Sequence, residues 1–221
     1  MKKCSLILIL LILFISMGAF AQTFSMSIGV GGLFDWNLNS GVEIKTGGAT
    51  AYDKIHNMSF GGFLFFDATY AEISACFGYG LIANVYDNGV SKGRVQAGSL
   101  MQVSAGILLK YPLDLGRITF FPLLGAEYNM VFVSKDKDGN KVPDNVSDTL
   151  KNFSQFGLLG GAGIDIFLKK GLFLRVETLY QIRFAGKATR DAADAAAGPG
   201  ISAYSTLGMG PLVKVGVGYK F

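Results

Sequence analysis

Val213-Lys214-Val215-Gly216-Val217-Gly218-Tyr219-Lys220-Phe221 alternates at every position. Val213, Val215, Val217, Tyr219 and Phe221 share one parity, and Lys214, Gly216, Gly218 and Lys220 share the other. Successive side chains of a β-strand point to opposite faces, so this stretch predicts a strand with one greasy face and one small or charged face. Working back toward the N-terminus, the same test on each run bounded by turn residues gives the same answer. Leu172, Leu174, Val176, Tyr180, Ile182 and Phe184 oppose Arg175, Glu177, Gln181 and Arg183. Phe156, Leu158, Ala162, Ile164, Ile166 and Leu168 oppose Gly157, Gly161, Gly163 and Asp165.

Five more runs follow the rule. Ile118, Phe120, Leu124, Ala126, Tyr128, Met130 and Phe132 face away from Thr119, Gly125, Glu127 and Asn129. Met101, Val103, Ala105, Ile107 and Leu109 face away from Gln102, Ser104, Gly106 and Lys110. Ile73, Ala75, Phe77, Tyr79, Leu81, Ala83 and Val85 oppose Glu72, Ser74, Cys76, Gly78, Gly80 and Asn84. Met58, Phe60, Leu64 and Phe66 form a row whose opposite face is blurred by Phe63 and Phe65. Phe24 to Phe34 puts Phe, Met, Ile and Val on even positions, with Ser and Gly on most odd ones. The set predicts eight strands.

The connections alternate as well. Short turns are expected at Thr69-Tyr70, at Tyr111 to Arg117 and at Lys169-Lys170-Gly171. Longer polar loops are expected at Asp35 to Asn57, Tyr86 to Arg94, Ser134 to Asn152 and Gly186 to Ser202. All the long loops then fall at one end of the sheet and the chain termini at the other. In a soluble barrel the polar row faces water and carries many lysines and glutamates. Here that row is mostly Gly, Ser, Thr, Asn and Gln with few charges, which suits the inside of a narrow closed barrel whose greasy row faces lipid. Closure also satisfies the backbone groups that an open sheet would leave bare in hydrocarbon. The fold class expected is therefore an all-β, eight-stranded, antiparallel, up-and-down transmembrane barrel.

Composition agrees with this and excludes other classes. Half of the 221 residues are apolar and only 16% are charged, so the chain is not disordered. Thirty glycines without a collagen period stand beside 18 Phe, 9 Tyr and 1 Trp. Lys2 and Lys3, the apolar run Leu6 to Ile15 and the Ala19-Phe20-Ala21 pattern predict a cleaved signal peptide at 1–21, leaving a barrel domain at 22–221. The cleaved segment takes Cys4 with it, so Cys76 is alone and no intramolecular disulfide is expected. Acidic and basic residues nearly balance in the remainder, which supplies no basic face for nucleic acid.

With these features the chain resembles the small eight-stranded outer-membrane barrels of the OmpA-transmembrane-domain, OmpX and OmpW type. The resemblance implies location in the cell outer membrane and contact with outer-membrane lipid. It also implies that Val215, Val217, Tyr219 and Phe221 form the terminal aromatic signal read by the outer-membrane insertion machinery. It implies a non-enzymatic role without cofactors: envelope structure, or adhesion and host contact through four surface loops. Two alternatives belong to the same resemblance, namely an OmpW-like transporter of small hydrophobic molecules, with Phe63, Phe65 and Leu33 lining its passage, and a lipid A-modifying barrel enzyme.

The inward parity supplies the candidate site. With the turn at Lys169-Lys170-Gly171, residues whose numbers sum to 340 face each other, which opposes Asp165 to Arg175. Glu177 and Lys214 lie at similar heights on adjacent strands, and Glu127 and Arg183 lie higher. Charges in a narrow barrel must be paired, so Glu127, Asp165, Arg175, Glu177, Arg183 and Lys214 are expected to form a lumen-filling ion-pair network. Other motifs carry less. His56, the single histidine, has Asp53 and Ser59 as neighbours, but no recognisable catalytic motif surrounds it. Asp136, Asp138 and Asp144 do not make an EF-hand, because Asn145 stands where the bidentate Glu belongs; no metal is expected. The glycines of Gly157 to Gly163 precede a strand rather than the helix a phosphate loop needs.

Overall fold

The computed structural model describes residues 24–46, 49–87, 90–91, 99–135, 139–141, 154–185 and 207–221. The segment expected to be a signal peptide, most of the third loop with Asp136, Asp138 and Asp144, and the fourth loop lie outside the described residues. Eight long strands run in chain order: β1 (Met26–Thr46), β2 (Ala49–Ala68), β3 (Ala71–Asp87), β4 (Ser99–Lys110), β5 (Ile118–Lys135), β6 (Gln155–Lys169), β7 (Leu172–Ala185) and β8 (Leu207–Lys220). Each pairs antiparallel with its sequence neighbour, and β8 returns to pair with β1, so the sheet closes. Two further two-residue strands, Val90–Ser91 and Leu113–Asp114, fold back on β3 and β5. Every long strand exceeds the roughly 9 to 11 residues a tilted strand needs to cross a bilayer.

Parity decides which face lies where. Leu64 is 60% exposed and Leu124 67%, on the outside, whereas Arg175, Glu72 and Glu177 are wholly buried on the inside. Val215 and Val217 point out, and Lys214 points in. An apolar skin of that extent has no place in water, because monomeric soluble proteins rarely expose large contiguous apolar patches. Inside the barrel, large side chains sit over glycines of neighbouring strands. A Cβ on Gly31 would lie 2.6 Å from the Phe63 ring and one on Gly216 3.1 Å from it. Phe121 covers Gly163, and Phe173 covers Gly218. The abundance of both glycine and phenylalanine thus has one cause: a narrow cylinder is filled by pairing a ring with a missing side chain.

The register in which residue numbers sum to 340 runs from Gln155 opposite Ala185 to Phe167 opposite Phe173, and a bulge then tightens the turn to Lys169 opposite Leu172. Lys170 and Gly171, both at positive φ, make that turn, as a two-residue hairpin of this twist requires.

One expected loop is corrected. Asp35 to Asn57 is not a polar loop but a continuation of β1 and β2, which stay paired as far as Thr46 opposite Ala49 with a register shift between Ser40 and Glu43. Polar composition hid the signal. Only Gly47 and Gly48 separate the two runs in sequence, and a Gly-Gly dipeptide between extended runs is itself a hairpin signal. His56 and Asp53 accordingly lie within β2, with His56 opposite Leu38 and Asn84 in the backbone register, rather than in a loop ahead of that strand.

Candidate functional site: the charged lumen

The interior carries two side-chain clusters, one nearer the short turns and one nearer the long connections. Arg175 on β7 is the hub of the first. Its Nε and Nη2 donate to the two oxygens of Asp165 on β6 at 2.7 Å, its cross-strand partner. Nη1 donates to Glu72 on β3 at 2.6 Å, and Nη2 donates also to Asp67 on β2 at 2.7 Å. One guanidinium therefore ties β7 to β6 and, across the lumen, to β2 and β3. Its planar fork permits this, whereas a single ammonium could not meet three carboxylates in that geometry.

Two lysines complete the cluster. Lys110 on β4 pairs with Asp67. Lys214 on β8 lies 3.4 Å from Glu177, its cross-strand partner, and 3.8 Å from Glu72. Glu177 reaches Arg175 only at 3.8 Å. Four phenylalanines of the inward parity lie against these cations. Arg175 stands 4.3 Å from the Phe65 ring centre, 5.1 Å from Phe121 and 5.2 Å from Phe173; Lys110 is 4.7 Å from Phe121 and Lys214 5.4 Å from Phe63. All five contacts fall within the reach of a cation–π interaction, which strengthens as the cation loses water.

The second cluster centres on Arg183. It donates to Glu127 through Nε at 2.8 Å and to Asp35 through Nη1 at 2.8 Å. Gln181 also donates to Asp35. Beside these runs an amide chain in which Asn129 donates to Gln102 at 3.0 Å and Gln102 donates to Ser59 at 3.3 Å. Of the six charged candidates, Asp165, Arg175, Glu177 and Lys214 thus meet in the first cluster and Glu127 with Arg183 in the second.

Parity reasoning missed Asp35, Asp67, Glu72 and Lys110 as partners, and with them the aromatic layer. Glu72 and Lys110 carry the inward parity of their runs, so the signal was present. Asp35 continues the odd row of β1 and is the residue at which the polar loop was expected to begin. Phe63 and Phe65, the residues a passage for apolar molecules would use, instead pack on Lys214 and Arg175.

Two cavities flank the hub. One of about 100 Å³ opens at the turn end and is lined by Ser27, Asp67, Thr69, Lys110, Asp165 and Phe173 among others. The other, of about 10 Å³, lies beside Leu33, Asp35, Gln102, Glu127, Arg183 and Leu212. The second is at or below the space one water needs. Between them stand the buried side chains of Arg175, Glu72, Glu177, Lys214, Phe63 and Phe65. Cys76, half-buried, faces this interior. Among the described residues, no group of three His, Cys, Asp or Glu side chains is arranged to hold a metal ion.

The C-terminal strand closes the cylinder. Val215, Val217, Tyr219 and Phe221 are exposed on the outer surface, Tyr219 and Phe221 meet edge to face at 5.4 Å, and the Phe221 amide donates to the Met26 carbonyl.

No family model matches the chain, and no curated protein matches it. Among solved structures, the outer membrane protein OprG from Pseudomonas aeruginosa aligns at 15% identity over 89% of this chain and 95% of its own, with a TM-score of 0.49. A major outer membrane protein from Thermus thermophilus aligns at 14% identity over 90% of this chain and 100% of its own, with a TM-score of 0.46. The assignment of this chain follows from its own geometry. A closed meander with hydrocarbon-compatible skin and ion-paired interior is a small eight-stranded β-barrel of the membrane-spanning kind.

Proposed function

We propose that the barrel is a closed anchor rather than a pore, and that it serves the envelope by holding its long connections at the cell surface for structure or for adhesion and host contact. The observation that carries this reading is Arg175. Its side chain is fully buried, and its bonds to Asp67, Glu72 and Asp165 cross the lumen where a passage would have to run. Eight strands leave an interior only wide enough for side chains, and here aromatic rings occupy what the charges do not. The extended β1–β2 hairpin supports display, because strand pairing carries a rigid element beyond the closed part of the sheet. The last strand, with Val215, Val217, Tyr219 and Phe221 outward, is the segment we assign to the outer-membrane insertion machinery. The reading includes no reaction and no cofactor.

Purified, refolded chain in planar bilayers tests the closed lumen: no long-lived, water-filled conductance is expected, and a large stable one defeats the reading. Whole-cell labelling of single cysteines tests display. Asn140→Cys and Ala195→Cys are expected to label on intact cells and Gly116→Cys only after the outer membrane is opened; the reverse pattern inverts the orientation and removes the surface role.

A further inference from the structure

The proposed function uses the lumen and the long connections and leaves the short-turn end unexplained. That end is basic. Arg117, Lys169, Lys170 and Lys220 are all exposed there. They form one arc along the ends of β5 to β8. The Phe167 amide donates to the Arg117 carbonyl at 2.9 Å, the Lys220 amide donates to the Gly171 carbonyl at 2.8 Å, and Lys220 Nζ lies 5.5 Å from the Phe167 ring. Asp67, Glu72 and Asp165 are turned inward and buried, so among the described side chains of this rim Asp114 is the exposed carboxylate. Its Oδ1 already accepts from Thr119 at 3.0 Å.

Arg117, Lys169 and Lys170 also sit where the apolar skin ends, whereas Lys220, of inward parity, stands over Phe167 at the mouth of the lumen. Leu115 at the tip of the β4–β5 connection is 72% exposed and Leu168 beside Lys169 54%. Gly116, at φ +85°, makes the tight turn that keeps Leu115 and Arg117 on this tip, and the Leu115 amide closes it on the Ile118 carbonyl at 2.8 Å. Apolar side chains in hydrocarbon with lysine and arginine close by in the chain set Arg117, Lys169 and Lys170 at the depth of lipid phosphates.

We propose that the outward part of this arc, Arg117, Lys169 and Lys170, binds the headgroups of anionic phospholipids in the periplasmic leaflet, and so holds the barrel at a fixed depth in the membrane. The occupant is set by charge complementarity: a row of cations with one engaged carboxylate, flush with an oil-facing band, matches a phosphate layer that carries net negative charge. The proposal rests on the reading that the short turns face the periplasm, and its test separates the two.

The full barrel is refolded into phosphatidylcholine bilayers with trace spin-labelled phosphatidylglycerol or spin-labelled phosphatidylcholine, and the motionally restricted fraction of each is measured. The expected preference for the anionic lipid is at least about threefold, weakening in high salt as exposed charges are screened. Replacing Arg117, Lys169 and Lys170 together by glutamine is expected to bring the preference close to unity, whereas replacing the two lysines by arginine keeps it. Equal partitioning by the native chain, or a preference that survives the glutamine variant, overturns the proposal. So does co-sedimentation with acidic cell-wall glycan that depends on these three residues while lipid partitioning does not. Surface labelling of Gly116→Cys on intact cells overturns the orientation and with it the periplasmic-leaflet placement; an intact lipid preference in the bilayer assay then shows that the orientation failed and not the headgroup binding.

Discussion

The two halves of the lumen solve one problem differently. Nearer the turns, Arg175, Lys110 and Lys214 meet four carboxylates and four phenyl rings. Nearer the long connections, Arg183 meets two carboxylates, and amides from Gln102, Asn129 and Gln181 take the place of the rings. Rings fill space without offering hydrogen bonds, so in the first half the ions depend mainly on one another, with Ser27 donating to Asp67 at 3.2 Å and Lys214 to Ser74 at 3.4 Å as the hydroxyl contacts. Amides both donate and accept, so the second half can lose one partner and re-pair. The difference predicts a brittle lower plug and a more forgiving upper one.

The largest effect should come from breaking the hub. Arg175→Met strips the shared cation from Asp67, Glu72 and Asp165, and removal of one partner from a buried ion network costs about 3 to 5 kcal/mol. Urea unfolding of the barrel in phospholipid vesicles at neutral pH measures it. Arg175→Lys should recover only a minor part, since a point charge cannot reach three carboxylates in the geometry of the fork. Arg183→Met comes next, at about 3 kcal/mol, because Asp35 keeps its bond from Gln181. A larger loss at Arg183 than at Arg175 would contradict the contrast between the halves. Below both stands Gln102→Leu, at about 1 to 2 kcal/mol, through an amide chain that loses its middle link between Asn129 and Ser59.

How much of this was legible in the sequence follows from the same contrast. Period two placed Val215 outside and Lys214 inside, and the Lys169-Lys170-Gly171 turn opposed Asp165 to Arg175, because register beside a tight turn is a matter of counting. What counting could not supply is contact across the lumen. Glu72 and Asp67 reach Arg175 from more than a hundred residues away, through a closure whose stagger no single strand reveals. Phe63 and Phe65 blur the alternation of β2 and suit a greasy passage; inside the barrel they are the rings on which cations rest. The β1–β2 extension was hidden for a different reason, since strands standing clear of the membrane need no apolar row and so lose the signal by which the others were found.

The finest test of the contrast is a single methyl group placed in each half. Gly163 lies under the Phe121 ring, a rigid body already held by Arg175 and Lys110, so a Cβ there has nothing that can move aside. Gly163→Ala should destabilise by about 1 to 3 kcal/mol, as overpacking of a filled interior does. Gly157 sits in the upper half, where an added Cβ would lie 3.1 Å from Glu127 Cγ and 3.3 Å from Arg183 Cγ. These are methylenes of flexible side chains, able to yield by a few tenths of an ångström. Removing a glycine from a strand also returns about 0.5 to 1 kcal/mol by restricting the unfolded chain. Gly157→Ala should therefore leave stability within about 0.5 kcal/mol of the native chain in the same urea experiment. Equal losses at the two glycines would mean that the upper cluster is packed as rigidly as the lower, and that amides in place of rings confer no tolerance.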